Sequence, residues 1–133
     1  MSTDADKWFE YADENLAIAR LAMEGGYYNA CLQNVQQAVE KYLKAVVLGR
    51  GLPFQKTHSI STLNDQLTAD GLSMMLTEKD CILLDSIYLP SEYPFGSALP
   101  DFEPDEEICK NVLRSQKRFV WRYSKQNSHE HRH

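Results

Sequence analysis

Residues 27–48, YYNACLQNVQQAVEKYLKAVVL, decide how this chain folds. At about 100° per residue, Tyr27, Cys31, Leu32, Val35, Ala38, Val39, Tyr42, Leu43, Ala45 and Val46 fall on one arc covering nearly half of a helix circumference. A helix lying on a protein surface needs only a narrower apolar stripe. The width of the arc therefore predicts a central helix, packed on two sides. The remaining edge carries Gln33, Gln36, Gln37, Glu40, Lys41 and Lys44. Two readings of that edge stand. It is a solvated face on which Glu40 and Lys44 form an i,i+4 pair contributing about 0.2–0.5 kcal/mol, or it is an amide and charged edge left open to meet something else.

The flanking segments read as further helices. Before the central segment, Trp8, Ala12, Leu16, Ala19 and Met23 recur at helical spacing, predicting a helix from Thr3 or Asp4 to Glu24. Asp4 and Asp6 sit at its positive end, and Gly25-Gly26 stops it. After the central segment, Gly49-Arg50-Gly51 ends that helix and residues 52–56 form a loop. Thr57 is placed to cap a third helix over residues 58–69, with Ile60, Leu63 and Leu67 facing inward. Asp70-Gly71 stops it. Thr77 caps a fourth helix to about Tyr88, with Asp80 at the capping-box position. Residues 89–104 hold four prolines and a glycine and read as a long ordered loop. A last helix is predicted over residues 105–125, with Ile108, Val112, Phe119, Val120 and Tyr123 on one face. Its opposite face carries Lys110, Arg114, Lys117, Arg118 and Lys125, with Trp121 among them. No alternating β-branched run lasts even about five positions, so strands are not expected. The predicted fold is all-α, a single-domain up-and-down bundle of four to five helices over residues 1–125. Residues 126–133 read as a flexible tail bearing His129, His131 and His133.

The chain has 133 residues and a net charge of −5, within the usual size of one domain. No apolar run approaches the ~20 residues that span a membrane. The opening MSTDADKWFEYADEN is too acidic and polar for a secretory signal, so a cytoplasmic protein is expected. Cys31, Cys81 and Cys109 are odd in number, form no CxxC pair and sit among apolar residues, so they read as small buried thiols. No metal site, cofactor or disulfide framework is expected. Charge is unevenly spread. Asp80 to Cys109 holds eight acids and no Lys or Arg, whereas Lys110 onward holds seven basic residues and one acid, Glu130. Such asymmetry marks either a partner surface or a face that balances the acidic stretch.

Three stretches together resemble the prokaryotic HEPN domain family. The first is Trp8 with Ala17-Ile18-Ala19-Arg20-Leu21 and Gly26-Tyr27-Tyr28-Asn29-Ala30. The second is Gln36-Gln37-Ala38-Val39-Glu40-Lys41-Tyr42-Leu43-Lys44-Ala45, similar to the family's QQAxEKxLKA helix. The third is Lys56-Thr57-His58 with Leu63, similar to its KTHxxxxL segment. Tyr93-Pro94 is a weaker fourth element. The resemblance implies a helical bundle that forms homodimers and often acts beside a small nucleotidyltransferase in a two-gene, toxin–antitoxin-like system. Many members are metal-independent ribonucleases, and others bind nucleotides or RNA without cutting.

The cutting members resemble one another in an Arg, four to six residues, then a His near the start of the last helix. Arginine would hold the phosphate and histidine would move the 2′-hydroxyl proton. Here residues 91–112 contain neither Arg nor His, and Glu92 stands where many relatives have Arg before Tyr-Pro. The spacing occurs only later, at Arg122 and His129, where the last helix gives way to the tail. A histidine in a tail lacks the anchoring a catalytic group needs. Catalysis by Arg122 and His129 across a dimer is therefore the alternative, and binding is the leading reading. The ligand-binding candidates are Gln37, Glu40, Lys41, Lys44, Lys56 and His58. His58 is the one histidine within the predicted bundle, and two readings are open for it: a polar site with Lys41, Lys44 or Lys56, or a helix-start hydrogen bond. A third possibility is a structural adaptor that docks through Phe95, Leu99 and Phe102.

Overall fold

A computed structural model of the chain describes residues 3–72, 76–87 and 105–114. They form α1 (Asp4–Glu24), α2 (Tyr28–Gly49), α3 (Ile60–Ala69) and α4 (Glu78–Ile87), and residues 106–114 are helical as well, here α5. No strand occurs among the described residues, and the fold is the all-α bundle that the hydrophobic periodicity predicts.

The buried surface of α2 matches the predicted arc with one exception. Cys31, Leu32, Val35, Ala38, Val39, Tyr42, Leu43, Ala45 and Val46 are buried, and Val47 joins them. Tyr27 instead sits just before the helix and is 70% exposed. It follows the turn that closes α1, which leaves its ring outside the arc. From α1 the core takes Ala12, Leu16 and Ala19; from α3, Ile60, Leu63 and Leu67; from α4, Cys81, Leu84 and Ile87; and from α5, Cys109, Val112 and Leu113. Burial on this scale is the main favourable term in the folding of a chain this size.

Polar links fix how α1 lies on α2. Asn15 donates to Asn34 Oδ1 at 3.0 Å, Lys41 donates to Asn15 Oδ1 at 2.6 Å, and the Tyr42 hydroxyl donates to Asp13 Oδ1. Residues rising along α2 meet residues falling along α1, so the two helices run antiparallel.

Helix ends follow the predicted chemistry closely. Thr3 and Asp6 form a reciprocal capping box, and so do Thr77 and Asp80. After α1, Gly26 takes a φ of +81°, its N–H bonds the Met23 carbonyl and the Tyr27 N–H bonds that of Ala22. This pair of bonds is the Schellman closure, which needs a left-handed residue at that position. The same pair closes α2 through Leu48 and Val47, and α3 through Thr68 and Leu67.

The third helix starts later than Thr57 predicts. Ser59 is its cap, accepting from the Thr62 N–H at 3.2 Å, and Thr57 Oγ1 instead accepts from the Ser59 N–H at 3.0 Å. The cause lies in α4, where Asp85 accepts from the N–H groups of Ile60 and Ser61 at 2.6 and 3.1 Å. A carboxylate remote in sequence thus takes the first donors of the helix.

All three cysteines are buried, and the thiols of Cys31 and Cys109 lie side by side. Cys109 Sγ also donates to the Tyr28 carbonyl at 3.4 Å. Burial, with Asp85 and Asp80 nearby, pushes Cys81 from the ordinary thiol value of 9.0 up to about 11. Burial, with Cys31 alongside, pushes Cys109 up to about 12. Burial likewise raises Cys31, and burial with Asp13 raises Tyr42. Each folded value lies above its unfolded one, so in alkali the native state keeps protons that the unfolded chain releases. The stability these groups contribute is fully present below an unfolded thiol value of 9.0 and is lost as pH rises toward 11–12. Urea midpoints should therefore fall between about pH 8 and pH 10.5; a midpoint that stays level would contradict this.

No described helix is long and apolar enough to cross a membrane. The loop residues Tyr93-Pro94, Phe95, Leu99 and Phe102 lie outside the described residues. So do Lys117, Arg118, Trp121, Arg122, Lys125 and the tail at 126–133 with His129.

Candidate functional site

The polar edge of α2 is not an open face. Gln36, Glu40 and Lys44, spaced one turn apart, are 0, 3 and 5% exposed, while Gln33, Gln37 and Lys41 are half-buried. Over Lys44 the cover comes from Trp8 near the start of α1 and from Phe54 in the loop after α2. Their ring centroids lie 5.9 Å apart, and the Lys44 ammonium sits 5.6 and 5.7 Å from the two centroids. Those distances are within cation–π range.

Glu40 is the hub. Its Oε2 accepts from Lys44 Nζ at 3.1 Å, and its Oε1 lies 3.1 Å from His58 Nδ1. The Glu40 and Lys44 side chains are only 4 and 6% exposed, whereas His58 is 54% exposed. Burying a charge pair costs desolvation that must be recovered through geometry and extra partners. Here the extra partners are the His58 ring on one side and the two aromatic faces on the other. A turn earlier, Gln36 Oε1 accepts from Gln37 Nε2 at 3.0 Å. Gln36 Nε2 is buried and has no hydrogen-bond partner among the described residues.

Of the predicted ligand-binding set, Glu40, Lys44 and His58 therefore come together. Gln37 sits beside them through Gln36. Lys41 is drawn away to Asn15 on α1, and Lys56 is exposed on the loop two residues before His58. Sequence reasoning passed over Trp8 as a core residue and Phe54 as a loop residue. The only advance signal for Phe54 was its place two residues before the KTH segment.

Beside this centre, Trp8 and Phe54 continue into a groove of about 400 Å³, also lined by Asp4, Lys7, Tyr11 and Leu48. Tyr11 and Phe54 are 53 and 42% exposed, so their rings are accessible. The loop bearing Phe54, Lys56 and His58 is tied down in its first residues. Arg50 pairs with Asp70 at 2.7 Å, and Gln66 Nε2 donates to the Pro53 carbonyl at 2.8 Å. Such a site can fix an imidazole through its Nδ1 and present cationic and aromatic groups together at one end of the bundle.

Comparison with known proteins agrees with this architecture. The HEPN domain family model matches residues 5–126. Among solved structures, ST0689, an archaeal HEPN homologue, is 27% identical with a TM-score of 0.71, covering 94% of this chain and 98% of its own. TT1696 from Thermus thermophilus is 27% identical with a TM-score of 0.69, covering 90% and 94%. No curated protein matches the chain. A family match across nearly the whole bundle, joined to the QQAVEKYLKA helix at its centre and the KTH loop against it, places the chain in the HEPN domain family.

Proposed function

We propose that the protein is a non-catalytic binding module for a nucleotide or RNA, working as a homodimer with a small nucleotidyltransferase as its partner. Its ligand sits at the end of the bundle where His58 meets Glu40. One observation carries this reading: an accessible imidazole held by a carboxylate that is itself buried. A histidine so oriented is more than a helix-start residue. The groups around it suit the ligand class. Lys7 and Lys56 offer positive charge to a phosphate, His58 offers a ring nitrogen for a hydrogen bond, and Trp8, Tyr11 and Phe54 offer ring faces to a base. The homodimer and the partner enzyme rest on the family resemblance.

The test is a binding titration of the full chain with AMP and with a short single-stranded RNA. His58→Ala and Lys56→Ala should each weaken binding about fivefold, the loss expected when one polar contact worth about 1 kcal/mol is removed. Failure of both probes to bind, or binding by both variants as tight as the wild type's, would overturn the reading. The same RNA is checked for cleavage: cutting abolished by His129→Ala would transfer the function to the Arg122 and His129 alternative.

A further inference from the structure

We propose that Asp85 is a positioning residue for this site: from α4 its carboxylate gathers the first turn of α3 and so holds the His58 ring on Glu40. The inference accepts the ligand seat proposed above, but its main test reads the histidine itself.

The bonds of Asp85 bracket the residues just after His58. Oδ1 accepts from the Ile60 N–H at 2.6 Å, and Oδ2 accepts from the Ser61 N–H at 3.1 Å and from Ser59 Oγ at 3.2 Å. Ile60 is fully buried, so water is a poor substitute for the carboxylate there. On the other side of His58, Thr57 Oγ1 holds the Ser59 N–H. The segment is thus pinned both before and after the imidazole.

Asp85 meets two of the first-turn N–H groups that a helix leaves without internal partners. Ser59 already caps α3 through the Thr62 N–H, which is the usual provision for a helix of this kind. The Asp85 bonds are additional, and their common effect is to set the backbone next to His58. α4 is itself anchored, since Gln33 on α2 donates to the carbonyl of Ile87 at 2.7 Å. A circuit results. It leaves α2 at Gln33, passes through the end of α4 to Asp85 and the start of α3, and returns to α2 where His58 meets Glu40. Displacement of α4 is therefore transmitted to the imidazole.

The contact has a spectroscopic signature. A neutral imidazole whose Nδ1 faces a carboxylate must carry its proton on Nδ1, because the partner of a ring nitrogen decides the tautomer. A ring released into water favours the proton on Nε2. Long-range ¹H–¹⁵N spectra of the full chain at mildly alkaline pH distinguish the two forms, with His58 assigned through H58Q. The wild type should show the Nδ1-protonated form, and D85A should shift toward the Nε2-protonated form. D85N, which keeps one acceptor oxygen, should fall between. L67A disturbs the packing of α3 without touching these bonds and should leave the tautomer unchanged. An unchanged His58 in D85A, or an equal shift in L67A, would overturn the proposal; if D85A does not fold, an unchanged His58 in D85N overturns it. AMP binding provides the second arm. D85A should bind about fivefold more weakly than wild type, and adding H58A should cost nothing further. A shifted tautomer with unchanged AMP affinity would uphold the positioning role and count against the ligand seat.

Discussion

Glu40→Ala is expected to destabilise the protein by about 3–5 kcal/mol, the range found when one partner of a buried ion pair is removed. The carboxylate is the ion-pair partner of Lys44, whose side chain is 6% exposed beneath Trp8 and Phe54. Without it the ammonium must either remain charged and unpaired, lose its proton, or push the rings aside to reach water. Each route costs free energy, and the His58 contact is lost as well. The isolated charge, more than the missing salt bridge, causes the damage. A double replacement, Glu40→Leu with Lys44→Met, should therefore be far less harmful than the sum of its parts. Urea unfolding of the wild type, both single variants and the double variant measures this. A loss below about 1 kcal/mol in Glu40→Ala would place the Lys44 head group in water, as for an exposed pair.

Leu43→Ala should cost about 2–5 kcal/mol, through lost transfer free energy and an incompletely closed cavity. Leu43 is fully buried near the middle of α2, where neighbouring helices leave little room for collapse. The contrast is Ile82, an equally large residue on α4 that is 61% exposed. Ile82→Ala should change stability by no more than about 0.5 kcal/mol. The pair tests whether α2 is the inner helix, since comparable losses from both would mean that burial does not rank the helices as described.

Periodicity made the helices readable. The breadth of the α2 arc predicted its central position, and spacing alone identified Leu63 and Leu67. Short-range chemistry was equally legible: Thr77 with Asp80, and the glycines that close α1, α2 and α3, act within a few residues of themselves. The failures share one cause, which is that the deciding partner lies far away in the chain. Glu40 and Lys44 look like a solvated pair until Phe54 folds back from the loop and Trp8 comes across from α1. Lys41 looks like part of the same edge, yet Asn15 draws it sideways. Thr57 has the right side chain to start α3, but Asp85 captures the N–H groups of Ile60 and Ser61, three and four residues after Thr57. The site was half visible for the same reason. Its residues were in view, while the enclosure that joins three of them was not.

The cross-links between Asn15, Asn34 and Lys41 carry one more consequence. Apolar helix faces tolerate sliding, because one greasy residue substitutes for another at small cost. Amides and an ammonium do not. Shifting α1 by one turn along α2 would part Asn15 from both partners at once and strand three half-buried polar groups. Alternative alignments of the hairpin are thereby penalised together, which favours a single registration of the first two helices.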